Sequence, residues 1–384
     1  MKYKIAYCIP SLYRSGGIES VLTTKVNYLA ENFGYDIYLI LTDGKNKKPY
    51  YDLSDKIHII QLNINFEKLW QCPFYRKIII YLFKQIKYKK KLKKILLNIR
   101  PDITVSLLRR EINFINSIHD GSKKIGELHF NKNNYRNFNK KYLPHFLNCY
   151  ITKEWQKKLI DEIKKLDKFI VLTQEDKKTW TELDNIQVIP NPIKYYPKES
   201  STCLNKKVIA VGRYTWQKGF DMLINSWNIV HEKHPDWQLN IYGGGNYKAY
   251  QELVNKKNLH LSIICHQATK NIYEKYIDSS IFVLSSRYEG FGLVLTESMS
   301  CGLPVVSFAC PCGPKDIIKD REDGFLVENG NVEQLADKIC YLIEYENERI
   351  SMGKKAKENV KRFDKEKIMQ QWIDLFNELT KKEE

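Results

Sequence analysis

Long apolar segments are absent from this 384-residue sequence. A helix needs roughly 20 apolar residues to cross a bilayer, and the longest run near the start, from Ile78 to Phe83, is far shorter. The first residues also lack the apolar stretch and small-residue cleavage site of a signal peptide. We therefore expect a cytoplasmic protein, with peripheral attachment to the inner face of the cytoplasmic membrane as the membrane-associated form.

Several short motifs of nucleotide- and metal-binding proteins are missing too. No Gly-x-x-x-x-Gly-Lys-Ser/Thr sequence occurs, which excludes a P-loop kinase or ATPase. The run Gly243, Gly244, Gly245 lacks the next glycine of the dinucleotide fingerprint, and no Asp-x-Asp occurs. We therefore expect no metal and no cofactor, and protein cations would have to stabilise any diphosphate that leaves.

The nine cysteines show no repeated spacing. Cys310 and Cys312 form a close pair, but no second pair or spaced histidines follow, so a zinc site is not predicted. We interpret the cysteines as free thiols, many of them buried.

Acidic residues are absent between Arg76 and Arg100, where ten residues are basic. Residues 1–200 hold 37 Lys and Arg against 20 Asp and Glu, whereas residues 201–384 hold 25 of each, so the whole excess of +17 lies in the first part. The stretch has helical apolar spacing. It is either a helix with a solvated basic face or a surface for anionic lipid. Nothing resembles a zinc finger or RNA-recognition motif, so no nucleic acid partner is expected.

Apolar runs alternate with helical patterns through two successive regions. This alternation predicts two α/β domains, each with a parallel sheet wrapped by helices. Three prolines and small polar residues separate the regions. We predict one such domain over 1–190, a linker over 191–206, a second domain over 207–363 and a terminal helix over 364–384. The predicted strands are Lys4–Ile9, Ile37–Thr42, Ile57–Leu62, Ile103–Leu108, Lys124–Leu128, Phe169–Leu172, Ile186–Ile189, Val208–Val211, Gln238–Tyr242, Leu261–Cys265, Ile281–Ser285, Pro304–Ser307 and Phe325–Val327.

Three loops carry chemistry. Gly16 and Gly17 precede a helix, where backbone N–H groups and the helix dipole favour a phosphate. Arg213 and Lys218 share one strand-to-helix loop, and a forked donor beside a point charge suits a diphosphate. Around a third loop, the carboxylates of Glu289 and Glu297 flank a glycine-containing turn and are predicted to bind sugar and ribose hydroxyls.

The motifs together resemble glycosyltransferase family 4, retaining enzymes with the GT-B fold. The resemblance runs in order through nearly the whole chain. It is carried by Gly16 to Glu19, Val188 to Pro192, Val211 to Gly219, Tyr288 to Val306 and Asp323 to Val327. The stretch Cys310 to Asp316 further resembles bacterial capsule and lipopolysaccharide sugar transferases. The fold implied is two Rossmann-like domains facing across a cleft, with the C-terminal helix over 364–384 crossing back to the first. The resemblance implies that the domain over 1–190 binds the acceptor and that the domain over 207–363 binds the nucleotide sugar.

The resemblance also implies a role for each matching residue. Arg213 and Lys218 would clamp the donor diphosphate, Gly17 would approach it from the first domain, Glu297 would hold the ribose and Glu289 would lie against the sugar. His129 resembles the family histidine that faces the reacting sugar, although the acid expected directly before it is absent. The catalytic residues implied are His129, Glu289, Arg213 and Lys218. The substrate-binding residues implied are Gly16, Gly17, Arg213, Lys218, Glu289, Phe291, Gly292, Leu293, Val294 and Glu297.

The expected function is transfer of a hexose or N-acetylhexosamine, with retention and without a metal, from a nucleotide diphosphate sugar. A UDP-sugar is the expected donor, and base recognition is expected near His266 to Ile272. The acceptor is a glycan, lipid-linked in surface polysaccharide biosynthesis, because the basic first half suits an acidic acceptor at an anionic membrane. A nucleotide-sugar epimerase of GT-B fold and a non-catalytic basic adaptor for membrane or nucleic acid are the alternatives.

Overall fold

The computed structural model describes residues 2–71, 73–135 and 145–381. Cys72 and residues 382–384, which the sequence analysis places among the free thiols and in the terminal helical segment, lie outside this range. The chain divides into two units. Unit 1 comprises Met1–Leu172, Lys177–Pro192 and Glu366–Glu384, and unit 2 comprises Thr173–Asp176 and Ile193–Lys365.

The sheet of unit 1 has seven parallel strands in the spatial order β3-β2-β1-β4-β5-β6-β7. In chain order they are β1 (Lys4–Ile9), β2 (Asp36–Leu41), β3 (Ile57–Gln61), β4 (Ile103–Ser106), β5 (Lys123–Glu127), β6 (Lys168–Val171) and β7 (Ile186–Val188).

The sheet of unit 2 has six parallel strands in the order β10-β9-β8-β11-β12-β13. They are β8 (Lys207–Val211), β9 (Gln238–Gly243), β10 (Ile263–Gln267), β11 (Ile281–Leu284), β12 (Val305–Phe308) and β13 (Gly324–Val327). Every strand matches its prediction within two residues at each end, and the predicted fold of two parallel-sheet, Rossmann-like domains is confirmed.

Amphipathic helices cover both sheets. In chain order, the α-helices of the described residues are α1 (Gly17–Asn32), α2 (Phe74–Ile99), α3 (His145–Ile163), α4 (Gln174–Thr179), α5 (Phe220–Lys233), α6 (Tyr247–Lys256), α7 (Ile272–Ile277), α8 (Leu293–Ser300), α9 (Pro314–Ile317), α10 (Val332–Glu344), α11 (Glu346–Asn359) and α12 (Lys365–Thr380). On α5, Phe220, Leu223, Ile224, Trp227 and Val230 recur at helical spacing and are buried, as their sequence spacing predicts.

The C-terminal helix α12 packs in unit 1. Its apolar stripe of Ile368, Trp372, Leu375 and Phe376 is buried. Tyr3, which directly precedes β1, donates a hydrogen bond from its hydroxyl to Asn377 Oδ1 at 2.8 Å. Unit 1 is therefore assembled from sequence on both sides of unit 2.

Helix α2 departs from a simple amphipathic pattern. Tyr88, Leu92 and Leu96 in its second half are buried. In its first half five large apolar side chains are exposed by 48 to 69%, although helical spacing alone would predict a buried stripe. These five, the α2 apolar stripe, are Ile78, Ile79, Leu82, Phe83 and Ile86. Among the described residues no helix combines the length and apolar character that a bilayer span requires.

Both sheets have a topological switch point, where strand order reverses. It lies between β1 and β4 in unit 1 and between β8 and β11 in unit 2. Ligands of open parallel sheets bind outside the carboxyl ends of the strands at such points. The predicted motif loops follow β1, β8 and β11 directly, so connectivity brings them to these positions.

Candidate functional site

The loop after β8 holds the two predicted phosphate-binding cations of unit 2. Arg213 is exposed, and within the described parts of the chain its side chain makes no ion pair or hydrogen bond. Lys218 closes the 3-10 turn Trp216–Lys218, which ends at Gly219 with φ of 62°. A Cβ at Gly219 would lie 2.0 Å from the carbonyl oxygen of Ser285, so only glycine lets this loop pass so close to the end of β11.

Glu289 lies on the neighbouring loop after β11 and contacts Lys218. Lys218 Nζ lies 2.5 Å from Glu289 Oε1, and Ser286 donates its hydroxyl hydrogen to the same oxygen at 2.6 Å. The side chains of Lys218 and Glu289 are only 13% and 7% exposed. This three-residue contact, the Lys218–Glu289 cluster, ties the two predicted loops together at the switch point.

A helix N-terminus follows Glu289. Gly292 caps α8 with φ of 96°, a left-handed conformation that favours glycine. The first helical hydrogen bond of this turn runs from Leu295 N–H to the Gly292 carbonyl at 2.8 Å. The N–H groups of Leu293 and Val294 precede it, so they are available to an anion. The Phe291 side chain is buried and packs edge-on against Phe363, so only its backbone can take part.

Glu297, one turn into α8, is partly buried and accepts a hydrogen bond from Tyr276 Oη at 3.3 Å. Burial raises the pKa of its carboxyl to about 7, although the Tyr276 hydroxyl and the charges of Lys194 and Lys218 oppose this. An acid with this pKa changes charge near neutrality, and as a carboxylate it can accept two hydroxyl hydrogen bonds.

The segment from Cys310 to Asp316 packs against the Glu289 turn. The Glu289 N–H donates to the Pro311 carbonyl at 3.0 Å. Gly313 has φ of 124°, and a Cβ there would lie 1.9 Å from the carbonyl oxygen of Phe291. The loop therefore supports the turn that carries Glu289. Cys310 and Cys312 are free and buried, and burial raises the pKa of both thiols.

At the end of β10, the His266 ring stacks on Tyr242, with centroids 4.3 Å apart. Asn240 Oδ1 lies 2.8 Å from His266 Nε2. Burial lowers the pKa of this imidazole, with the charge of Lys275 acting in the same direction. The region expected to recognise a base therefore presents a neutral stacked ring.

In unit 1, Gly16 and Gly17 lead from β1 into α1. Ser20 N–H makes the first helical bond, to the Gly16 carbonyl at 3.0 Å, so the N–H groups of Gly17 and Ile18 are left for another acceptor. Glu19 folds back over this turn, and a Cβ at Gly16 would lie 2.1 Å from its carboxylate. Burial raises the pKa of Glu19, while its own N–H and the nearby charges of Arg109, Arg14 and His129 lower it.

His129 lies two residues beyond β5, with its side chain 5% exposed. Its Nε2 is 3.2 Å from Glu127 Oε1. The other Glu127 oxygen forms an ion pair with Lys25 of α1, and these two side chains are 2% and 1% exposed. Arg109, after β4, lies over the Phe130 ring, with its guanidinium carbon 4.7 Å from the centroid.

The structure thus brings Lys218, Glu289 and the start of α8 together in unit 2, and it places His129 near Glu19 in unit 1. The sequence analysis missed five residues at these positions: Lys25, Arg109, Glu127, Tyr276 and Ser286. One signal was available, because Lys25 falls on the apolar stripe of α1 between Val21, Leu22 and Leu29, where a charged side chain is out of place. Within the described residues no group of three or more His, Cys, Asp or Glu side chains could hold a metal ion.

The sequence and fold have known relatives. Residues 204–359 match the family Glycosyl transferases group 1. An uncharacterized glycosyltransferase of Haemophilus influenzae is 29% identical over 379 residues, covering 96% of this chain and 98% of the relative. The amylovoran biosynthesis glycosyltransferase AmsD of Erwinia amylovora is 29% identical over 391 residues, covering 98% of this chain and all of the relative.

Among solved structures, a mutant of S. aureus TarM in complex with fondaparinux, α-GlcNAc-glycerol and UDP superposes with a TM-score of 0.76 at 18% identity, covering 98% of this chain and all of TarM. That likeness shows the GT-B fold. The epimerase and adaptor alternatives are set aside, because the matched family and the full-length relatives are glycosyltransferases. Residues 204–359 are therefore a glycosyl transferases group 1 domain, and the chain that carries them has the GT-B fold.

Proposed function

We propose that this protein is a retaining, metal-independent glycosyltransferase that transfers a hexose or N-acetylhexosamine from a UDP-sugar to a lipid-linked glycan during surface polysaccharide biosynthesis. The observation that carries the proposal is the Lys218–Glu289 cluster at the switch point of unit 2. Arg213 lies on the same loop as Lys218, and its side chain makes no ion pair within the described residues. The loops there carry two cations, a buried carboxylate and the N–H groups at the start of α8, which matches the needs of a sugar diphosphate.

In the proposed reaction, protein cations stabilise the leaving diphosphate. The ammonium of Lys218 has three donors, so it can keep Glu289 and still bind a phosphate oxygen. Arg213 supplies a planar fork that matches two phosphate oxygens. The N–H groups of Leu293 and Val294 complete the cradle, and this arrangement stabilises charge as it develops.

Glu289 and Glu297 have separate proposed roles. Glu289 orients the donor sugar, because its Oε1 is already bound by Lys218 and Ser286, which makes that oxygen a poor nucleophile. Glu297 holds the ribose hydroxyls. The acceptor hydroxyl then attacks the anomeric carbon on the face that the diphosphate leaves, and its proton passes to a phosphate oxygen. Trapping a glycosyl adduct on Glu289 would contradict this version and favour a covalent intermediate.

The donor and the pathway are proposed from the relatives. TarM was solved with UDP and α-GlcNAc-glycerol, which supports a UDP-linked N-acetylhexosamine. AmsD is named for amylovoran biosynthesis, which supports work on a surface polysaccharide. We propose that unit 1 serves the acceptor, with His129 acting on the reacting sugar.

The first test is thermal-shift binding across UDP, GDP, ADP and CMP, with an Arg213→Ala, Lys218→Ala double variant. A nucleotide at 100 times its Kd adds about 2.7 kcal/mol of stability, which gives a clear shift. We expect UDP alone to shift the wild type and to lose this effect in the double variant. Lys233→Ala, an exposed lysine of α5, is the matched control. A shift with another nucleotide would replace UDP, and no shift with any would contradict the donor site.

The α2 apolar stripe supports the proposed attachment to a membrane surface. Its five side chains are exposed on one half of α2, and the exposed lysines Lys87, Lys89, Lys90, Lys93 and Lys94 follow them on the same helix. Exposed apolar residues beside a row of cations fit an anionic lipid surface, where the apolar side chains insert and the lysines meet headgroups.

Sedimentation with phosphatidylglycerol vesicles at low salt tests this attachment. We expect Leu82→Ser with Phe83→Ser to abolish binding, and Lys90→Gln to weaken it about fivefold, since each basic residue near such a surface contributes about 1 kcal/mol. Ile59→Ser, at an exposed apolar residue on β3, is the control. Equal binding to neutral vesicles, or no binding to either, would contradict the membrane proposal while leaving the donor site untouched.

A further inference from the structure

We propose that Glu127 and Lys25 are positioning residues for His129: Glu127 fixes the orientation and tautomer of the imidazole, and Lys25 holds one Glu127 oxygen so that the other is left for His129. The proposal rests on the proposed function in one respect, because His129 acts there on the reacting sugar.

The geometry places the three side chains in a row. Glu127 ends β5, and His129 lies two residues beyond it with its ring in contact with the Glu127 carboxylate. Oε1 of Glu127 lies 3.2 Å from His129 Nε2, and Oε2 pairs with Lys25. Each carboxylate oxygen therefore has its own partner.

Aromatic rings and one carboxylate surround the ammonium group of Lys25. Its ammonium lies 3.8 Å from the Trp372 ring centroid and 5.2 Å from that of Tyr7. These rings shield it from water, and Glu127 is the acid that pairs with it among the described residues. Lys25 thus reaches Glu127 from an apolar stripe, where a neutral side chain would pack at lower cost.

The electrostatics keep Glu127 ionised. Burial alone would raise its pKa, but the charges of Lys25 and His129 and the contacts with both side chains outweigh burial and lower the pKa of Glu127 to about 2. Burial lowers the pKa of Lys25, while Glu127 raises it. A buried ion pair is weak evidence for stability, because an apolar pair of similar volume often does as well or better. A second use for the carboxylate explains why the charges are kept.

That use follows from the chemistry of imidazole. An ionised carboxylate only accepts hydrogen bonds, so the proton of neutral His129 belongs on Nε2, and Nδ1 keeps its lone pair for a substrate hydroxyl. The Nε2 to Oε1 contact is not aligned as a full hydrogen bond, and Nε2 has no other partner within the described structure. Catalytic contacts of this kind tighten when the ligand binds.

Other charges also face His129 and enter its pH dependence. Glu19 of α1 interacts with it, and Arg109 and Arg14 interact with Glu19 in turn. Variants must therefore be compared with a buried ion pair elsewhere on the same strand. Lys124 of β5 pairs with Asp120, with side chains 9% and 1% exposed, which makes Lys124→Met a matched control.

The experiment compares Glu127→Gln, Lys25→Met and Lys124→Met by ¹⁵N NMR of the histidine rings, with His129→Asn to assign the signal, and by the pH profile of kcat. In the wild type we expect the Nε2–H tautomer. Glu127→Gln should lose this preference, because an amide both donates and accepts, and it should lower kcat about 100-fold. UDP binding should persist, because Glu127 lies outside unit 2.

The pH profile separates positioning from folding. Glu127→Gln removes the negative charge that lies 3.2 Å from His129 Nε2, so the acid limb of the kcat profile should move to lower pH. In Lys25→Met the Glu127 carboxylate loses its lysine partner, so its negative charge acts on His129 alone. The acid limb of the kcat profile should therefore move to higher pH. Lys124→Met should move neither the limb nor the tautomer. Opposite movements in the first two variants support positioning, and movement in the same direction in all three overturns it.

The ring signals need no turnover, so the two proposals can fail separately. A wild type that binds no nucleotide and transfers no sugar would sink the proposed function, and the tautomer would still decide the positioning of His129. If Lys25→Met does not fold, Glu127→Gln decides alone, and an unchanged Nε2–H signal in that variant overturns the inference.

Discussion

The two units build their candidate sites from different materials. In unit 2 the site consists of backbone held close by glycines and of side chains from two short loops, residues 212–219 and 285–292. In unit 1 it consists of buried charged side chains, Lys25, Glu127 and His129, gathered from α1 and the end of β5 and covered by α12. A bound diphosphate would need many donors at fixed spacing, whereas the proposed role of His129 would need one ring held in one orientation.

This difference has an energetic side. Backbone N–H groups at a helix start need no ion pair to be available, because they are unsatisfied by geometry. Buried charges depend on every partner, and loss of one leaves the other uncompensated in an apolar setting. Unit 1 should therefore be sensitive to changes far from His129, and unit 2 to changes of backbone spacing.

The largest expected effect comes from Trp372→Ala in α12. This buried ring packs in unit 1 and covers Lys25 at 3.8 Å, and its truncation should cost about 3–5 kcal/mol of the free energy of unfolding. Hydrogen exchange should rise in β1, β5 and α1 and stay unchanged in β8 to β13. Trp216→Ala, at a 66% exposed tryptophan, is the control. Equal loss of protection in both sheets would contradict the claim that Trp372 stabilises unit 1 alone.

The second largest effect is expected from Glu297→Gln. This variant tests whether a buried charge in unit 2 also lowers the free energy of unfolding. Burial raises the pKa of Glu297 to about 7, above that of an unfolded glutamate, so the folded state holds a proton that the unfolded state releases. Its contribution to stability is complete below about pH 4 and is lost as pH rises to about 7.

Glutamine stays neutral at every pH, so the free energy of unfolding of the variant should rise relative to that of the wild type as pH rises. The change in this difference should reach about 3 kcal/mol at pH 8. Urea unfolding from pH 4 to 8 measures the difference, and Glu252→Gln, at an exposed acid of α6, should stay flat. A difference that does not change with pH would mean that Glu297 is already ionised at low pH.

The smallest effect sharpens the claim that unit 2 depends on backbone spacing. A Cβ at Gly243 would lie 1.7 Å from the Gly212 carbonyl oxygen, whereas one at Gly244 meets nothing within 4 Å. Gly243→Ala should therefore cost about 1–3 kcal/mol and weaken UDP binding through the loop after β8. Gly244→Ala should change neither. Similar results for these neighbouring glycines would refute the spacing argument.

The sequence predicts the fold and unit 2 better than unit 1, for a physical reason. Strands such as Lys4–Ile9 are continuous apolar runs, because parallel strands are buried on both faces. Arg213, Lys218 and Glu289 lie in short motifs directly after such strands, so local spacing reveals them.

Long-range contacts leave no such local signal. Lys25 and Glu127 are 102 positions apart, and Trp372 is far from both. The exposure of Phe83 on α2 was also beyond a sequence argument, because helical spacing says which side chains share a face and not whether anything covers that face.

The return of α12 to unit 1 also sets the order in which the protein can be made. The sequence of unit 2 is complete at Lys365, before Trp372 emerges from the ribosome. Domains fold as units during synthesis, so unit 2 can close while unit 1, begun first, still lacks its last helix. Until α12 packs, Lys25 lacks the Trp372 ring that covers it in the folded unit. The unit that is translated first is therefore completed only after unit 2, because its helix α12 follows unit 2 in the chain.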